Sequence, residues 1–304
     1  GHIMRCLSIA DGLRKIGESV KFIVADENAV ALIKERGYLS IILGTDWNNM
    51  DEEIPVLEKI IHKFNISKLL IDSYQVTQNY LRRLSDSVKT MYIDDLNMFE
   101  YPVDIIVCYA NYWKRFCYNA NRLQQKLLLG TKYVPLREAF WNCTEKEIQA
   151  DVETLLLLSG GTDPYNFLDN MLQKIELRQF RRVDVVCGRY NLNYEILCQK
   201  YKKYLNVVVY KNVSDMKKYM QDADLAVSAG GTTLYELCAV GTPTISYSFA
   251  DNQLDNVRQF DEDGLIAYAG DLRRDDVTEN VEKMIDRFRK DFALRKKSSN
   301  RMQA

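Results

Sequence analysis

The stretch ADLAVSAGGTTLYELCAVGTP, residues 223–243, carries the strongest chemical signal in the 304-residue chain. An apolar run ends at Ser228 and Ala229, Gly230 and Gly231 permit close backbone approach, and Thr232 and Thr233 open a helix that closes near Gly241-Thr242-Pro243. Glycines at such a point let a diphosphate reach backbone N–H groups. The threonines add hydroxyl donors, and the positive end of the helix dipole favours the negative charge. No lysine follows the glycines, which excludes the P-loop of nucleoside triphosphatases. Glu236 has two readings: its carboxylate accepts from the ribose hydroxyls of a nucleotide whose phosphates rest on the loop, or it completes a capping box with Thr233.

Two further loops have the same character. TLLLLSGGTDPYNF runs from an apolar strand into Ser159, Gly160, Gly161, Thr162, Asp163 and Pro164. Asp163 can serve as N-cap with Pro164 at the first helical position, or the loop can present amides to an anion. In FADNQLDN, Asp251 can cap a helix, which leaves Asn252 and Gln253 as the polar candidates for a ligand. The chain has two histidines, the residue type whose ordinary pKa of about 6.5 suits it to take a proton from water near neutrality. His62 sits in KIIHKF on an amphipathic helix and reads as structural. His2 stands at the mouth of the first helix, GHIMRCLSIADGLRKIGE. Tyr74, after KLLIDS, is a strand-end core aromatic or a site residue; Asp94 and Asp95 end another strand and cap the next turn or act in the site. Asn111, after VCYA, is a further candidate.

The elements that must hold these residues alternate. Apolar runs predict strands at 19–26, 39–44, 68–74, 89–95 and 103–109, then at 154–161, 182–188, 205–211, 223–231, 242–249 and 264–270. They are near-continuous, as parallel strands covered on both faces should be. Between them lie helical patterns such as ENAVALIKERG, stopped by Gly37, and DEEIPVLEKIIHKF, with Asp51 as N-cap. A polar, helix-like stretch over roughly 135–152 reads as the linker. Two successive β-α series argue for two doubly wound domains, with ligands at the carboxyl ends of the strands in the cleft between them.

Composition narrows the function classes. Forty-one Lys and Arg against 42 Asp and Glu leave a net charge of −1, so no field draws the chain to nucleic acid or an anionic membrane. The basic run ALRKKSSNR reads as a solvated helix face. The seven cysteines, at 6, 108, 117, 143, 187, 198 and 238, form no C-x-x-C pair and read as buried reduced thiols. Buried reduced thiols lead to the expectation of a cytoplasmic protein; no apolar stretch approaches the roughly 18 residues of a membrane span, and no signal peptide is visible.

Taken together, GHIMRCLSIADGLRKIG, MYIDDL, GTKYVPLREAF, SGGTDP and SAGGTTLYELCAVGTP followed by ADNQ resemble the PseG family of UDP-sugar hydrolases of pseudaminic acid biosynthesis. The resemblance covers nearly the whole chain. It implies an α/β fold of two doubly wound Rossmann-like domains, the GT-B fold shared with MurG-type glycosyltransferases. Residues 1–145 would form the N-terminal domain, with the catalytic base and the sugar side, and residues 150–304 the UDP-binding domain. The substrate it implies is UDP-2,4-diacetamido-2,4,6-trideoxy-β-L-altropyranose. Water would displace UDP at the anomeric carbon with inversion, without metal or cofactor, in the bacterial cytoplasm. His2 matches the family's base and Tyr74 a tyrosine near the sugar. Gly160, Gly161, Thr162, Gly230, Gly231, Thr232, Thr233, Glu236, Asn252 and Gln253 would hold UDP.

Family members begin with a strand and a loop reading approximately I-G-x-G-H, and this chain picks up at the final Gly-His. The first N-terminal strand is therefore expected to be missing, and the chain, stopping at KSSNRMQA, reads as trimmed at both ends. Two alternatives stand beside the hydrolase. One is a MurG-like transferase that passes the sugar to an acceptor instead of water; the other is a non-catalytic nucleotide-binding remnant.

Overall fold

The computed structural model describes residues 1–119 and 124–304. Two compact units appear, Gly1–Glu138 and Ala139–Ala304. In the first, the elements run α1 (His2–Lys15), β1 (Lys21–Val24), α2 (Val30–Glu35), β2 (Leu39–Ile42), α3 (Ile54–Lys63), β3 (Lys68–Ile71), α4 (Gln78–Ser87), β4 (Lys89–Ile93), β5 (Ile105–Cys108) and β6 (Lys126–Leu129). β1 and β2 form a parallel pair of their own, and β3-β4-β5-β6 form a second parallel sheet in that order. The amphipathic α3 and α4 bury Leu57, Ile61, Leu81 and Leu84 in a core that also takes in Ile71, Tyr92 and Ile106 from the strands.

The second unit contains β7 (Thr154–Leu158), α5 (Phe167–Lys174), β8 (Arg182–Cys187), α6 (Tyr194–Tyr201), β9 (Val207–Lys211), α7 (Met216–Asp222), β10 (Leu225–Ala229), α8 (Thr233–Val240), β11 (Thr244–Ser248), α9 (Asp251–Glu262), β12 (Ala267–Asp271), α10 (Val277–Lys290) and α11 (Phe292–Met302). All six strands are parallel, in the order β12-β11-β10-β7-β8-β9. The chain winds outward from β7 in one direction, returns, and winds outward from β10 in the other. The reversal between β7 and β10 is the topological switch point, where the loops at the carboxyl ends diverge and leave a crevice. The two glycine loops of the sequence follow these two strands. Every residue of β7, β10 and β11 is buried, so these strands carry apolar side chains and small hydroxyl ones (Thr154, Ser228, Thr244, Ser246, Ser248) and no charged residue. On α10 the apolar Val277, Val281, Ile285 and Phe288 recur at helical spacing, and they bury against the sheet with Phe167 and Met171 of α5. Each such side chain contributes about 1.5–3 kcal/mol when fully withdrawn from water.

All eleven strands read from the sequence are present, and a twelfth, β6, was not foreseen. Helix α3 starts at Ile54, not at Asp51; residues 50–53 form a 3₁₀ turn in which Asp51 accepts from the Thr77 hydroxyl (2.7 Å). The stretch over 135–152 is not helical beyond a 3₁₀ turn at Glu138–Phe140. Its later part is strapped to the second unit instead. The Lys146 N–H donates to Gln303 Oε1 (2.9 Å), and Arg295 donates to the carbonyls of Gln149 (3.0 Å) and Ala150 (2.6 Å). Arg295 itself is fully buried, so the basic run is only partly a solvated face; its guanidinium also binds the carbonyls of Phe288 and Arg289 at the end of α10. All seven cysteines are free: Cys108, Cys187 and Cys238 are buried, whereas Cys117 is exposed. No helix among the described residues is long and apolar enough to cross a membrane.

Candidate active site

In the N-terminal unit a polar cluster forms where the start of α1 meets the carboxyl end of β3. His2, Arg5 and Cys6 lie three and four positions apart in the first turns of α1, so they share one face. All three converge on Asp72, the residue after β3. His2 Nδ1 lies 2.8 Å from Asp72 Oδ1, the Arg5 guanidinium donates to both oxygens (Nε to Oδ2 2.7 Å, Nη2 to Oδ1 2.5 Å), and the Cys6 thiol reaches Oδ2 at 3.3 Å. The Asp72 side chain is 3% exposed. Burial alone would raise its carboxyl, but the bonds from Arg5 and then His2 outweigh that and hold it well below the usual carboxylate range. An ionised carboxylate can only accept, so Nδ1 of His2 must donate and the neutral ring keeps its lone pair on Nε2. The His2 side chain remains 38% exposed.

Tyr74 packs its ring edge-on against the His2 imidazole, with centroids 4.7 Å apart, and donates its hydroxyl to Asp95 Oδ2 (3.1 Å). Burial, reinforced by the Asp95 charge, raises its phenol and keeps it protonated. Arg5 also donates to the Tyr109 hydroxyl (2.8 Å) just beyond β5. Asp94 and Asp95 part company. Asp94 accepts from the N–H groups of Leu96 and Asn97 and from the hydroxyls of Tyr101 and Tyr118, which is turn capping; Asp95 faces Tyr74 and Arg5. Asn111 is half-buried in the turn after β5, and His62 is exposed on α3. Asp72 and Arg5 escaped the sequence reading because the strand was expected to run on to residue 74, which made Asp72 an interior position. The one local cue is an acidic residue directly after KLLI; that Arg5 faces it is set by the fold.

In the C-terminal unit, Gly160, Gly161 and Thr162 are exposed after β7. Asp163 caps α5 through its side chain, accepting from Phe167 (2.8 Å) and Leu168 (3.1 Å), but the helix begins at Phe167 and not at Pro164. Gly188, after β8, went unnoticed in the sequence and is sterically obligatory: a Cβ there would lie 2.0 Å from the Gly160 carbonyl oxygen and 2.5 Å from that of Gly161. Gly188→Ala is therefore expected to force the two loops apart at a cost of about 1–3 kcal/mol, measured as a lower urea midpoint. An unchanged midpoint would mean that the loops separate freely.

The loop after β10 corrects one detail of the expected anion cradle. The Gly230 N–H donates to the Tyr247 carbonyl (2.8 Å) and that of Gly231 to Ala229 (2.8 Å), so neither amide is spare. Gly230 is there for packing, since a Cβ would meet Val257 Cγ1 of α9 at 2.2 Å. The N–H groups without a partner among the described residues are those of Thr232 and Thr233, at the start of α8. Thr232 is the N-cap and makes no side-chain cap bond, so the Thr233–Glu236 capping box is not formed; Glu236 is half-buried on α8. Asn256 locks the loop, donating to the Gly230 carbonyl (3.3 Å) and accepting from the Tyr235 hydroxyl (2.9 Å). Gln253 Oε1 receives the Phe249 N–H (2.9 Å), a local structural bond, whereas Asn252 is exposed at the start of α9. Asp251 pairs with Arg273 (2.8 Å). Among the described residues no group of three or more His, Cys, Asp or Glu is placed to hold a metal ion.

Residues 155–304, which contain both glycine loops and the switch point, match the glycosyltransferase family 28 C-terminal domain. The C-terminal unit is glycosyltransferase-like. The crystal structure of Acinetobacter baumannii MurG aligns with all of this chain and 91% of its own, with a TM-score of 0.69 at 12% identity, which shows the same α/β fold with its parallel sheets. An uncharacterized protein of Methanocaldococcus jannaschii is 25% identical over 260 residues, covering 81% of this chain and 52% of its own length. The Campylobacter fetus UDP-N-acetylglucosamine–N-acetylmuramyl-(pentapeptide) pyrophosphoryl-undecaprenol N-acetylglucosamine transferase is 29% identical over 133 residues, 41% of this chain and 38% of that enzyme. The chain thus spans about half the length of the archaeal relative and less of the Campylobacter one.

Proposed function

We propose that the protein hydrolyses a UDP-activated sugar, with His2 as general base and the C-terminal glycine loops as the UDP site. The observation that carries this reading is the His2–Asp72 pair. A buried, ionised carboxylate fixes Nδ1 as the donor and leaves Nε2 of a partly exposed imidazole as the proton acceptor. Water, losing its proton to Nε2, forms a bond to the anomeric carbon as the bond from that carbon to the diphosphate oxygen breaks. The products are the free sugar and UDP. The Thr232 and Thr233 amides and the amino end of α8 supply the donors for the departing diphosphate. The substrate that the PseG resemblance supports is UDP-2,4-diacetamido-2,4,6-trideoxy-β-L-altropyranose.

The family 28 match over the C-terminal unit favours a second reading, in which the same base activates an acceptor hydroxyl and the sugar is transferred. UDP release from the purified protein and UDP-sugar alone separates the two: steady turnover without acceptor supports hydrolysis, and turnover only on adding an acceptor supports transfer. For the nucleotide half, Glu236→Gln is expected to weaken UDP about tenfold in calorimetry, the loss of a charge-assisted bond to ribose. A change in stability with no change in UDP affinity would remove Glu236 from the site.

A further inference from the structure

Asp94 and Asp95 are consecutive acids at one strand end with opposite states of satisfaction. Both follow the end of β4, and their side chains meet different partners. Asp94 receives four donors, from Leu96, Asn97, Tyr101 and Tyr118. Asp95 receives one, the Tyr74 hydroxyl at its Oδ2, and lies 3.7 Å from an Arg5 nitrogen that already donates to Tyr109. Its Oδ1 is buried and has no hydrogen-bond partner among the described residues, although the side chain as a whole is 20% exposed. A carboxylate can accept about four donors, and leaving a buried oxygen unpaired is costly, so an orphan of this kind marks a place where a ligand donor belongs.

We infer that Asp95 is a specificity-determining residue of the site, its carboxylate receiving a neutral O–H or N–H donor of the sugar; this rests on the UDP-sugar reading above. The neighbours select the chemistry of that donor. Asp95 and Asp72 carry two negative charges against the one positive charge of Arg5, so an anionic group is repelled. On the UDP-sugar reading the donor available to Asp95 is a hydroxyl or acetamido N–H of the sugar. Tyr74 bridges Asp95 to the His2 ring, so a donor held there sits beside the base.

The test is calorimetry on the full chain in the His2→Asn background, where turnover is slowed, with UDP and with the UDP-linked diacetamido sugar as separate probes. Asp95→Ala should weaken the UDP-sugar tenfold or more and leave UDP within twofold. Asp95→Asn, which keeps one acceptor oxygen and the shape, should recover part of the loss. Equal weakening of both probes, or no change in either, overturns the assignment of Asp95. Should Asp95→Ala fail to fold, the Asp95→Asn variant decides alone: a loss of severalfold confined to the UDP-sugar supports the assignment, and its absence overturns it. A chain with His2 intact that binds no UDP refutes the UDP-sugar reading itself, and Asp95 falls with it.

Discussion

His2→Asn is expected to lower the rate of UDP release by about 10²–10⁴-fold, the usual contribution of a positioned general base. Asparagine can still hydrogen-bond to Asp72, so the start of α1 stays docked, but its amide nitrogen has no basic lone pair. UDP affinity should hold within twofold, because the proposed nucleotide donors, the Thr232 and Thr233 amides, belong to α8 in the other unit. Single-turnover rates alongside calorimetric UDP affinities check both halves. Retention of the full rate would remove His2 from the chemistry.

Asp72→Asn should do damage of two kinds. Arg5, with 8% of its side chain exposed, would keep its charge and lose the carboxylate that faces it; breaking a buried pair from one side typically costs about 3–5 kcal/mol. The His2 ring would also lose the acceptor that fixes its tautomer, so the rate should fall well beyond what reduced stability explains. The pH dependence gives a signature. Because the folded Asp72 carboxyl lies below its ordinary value of about 3.9, its contribution is complete above that pH and is lost as pH falls through the depressed folded value. The urea midpoint of the wild type should therefore exceed that of Asp72→Asn by a constant margin from neutrality down to about pH 4, and the margin should shrink only below it. A margin that persists unchanged in strong acid would mean that the carboxylate charge is not what stabilises the pair.

The strands were legible because parallel strands covered on both faces are built of apolar and small hydroxyl residues: β7, β10 and β11 are buried at every position, and their only polar residues are Thr154, Ser228, Thr244, Ser246 and Ser248. β6 was missed although its KLLL is as long and as apolar as the KLLI of β3. Capping illustrates what local sequence conceals. Asp163 had two readings, N-cap with Pro164 at the first helical position or part of an anion loop; the N-cap is Asn166, in the left-handed region, and Asp163 instead accepts from the amides four and five positions on. The glycine loops were visible as loops, whereas the assignment of each amide was not: that Gly230 donates to Tyr247 depends on β11 pairing with β10 across the intervening helix α8. Asp72 shows the same limit. Its partners are 66 to 70 residues away, so no window of sequence displays the pair.

The Arg295 clamp has a consequence for how the C-terminal unit is made and moved. One guanidinium ties the carbonyls that end α10 to Gln149 and Ala150, some 145 residues earlier, and Gln303 repeats the link to Thr144 and Lys146. The first and last segments of the unit therefore meet on one surface. During synthesis the sheet can assemble strand by strand, but this seal forms only after α11 has emerged, so the unit closes last and over a long loop. Segments held together in this way tolerate a new junction between them, so a circular permutation that links residue 303 to residue 144 is expected to keep the six-stranded sheet, read as an unchanged urea midpoint.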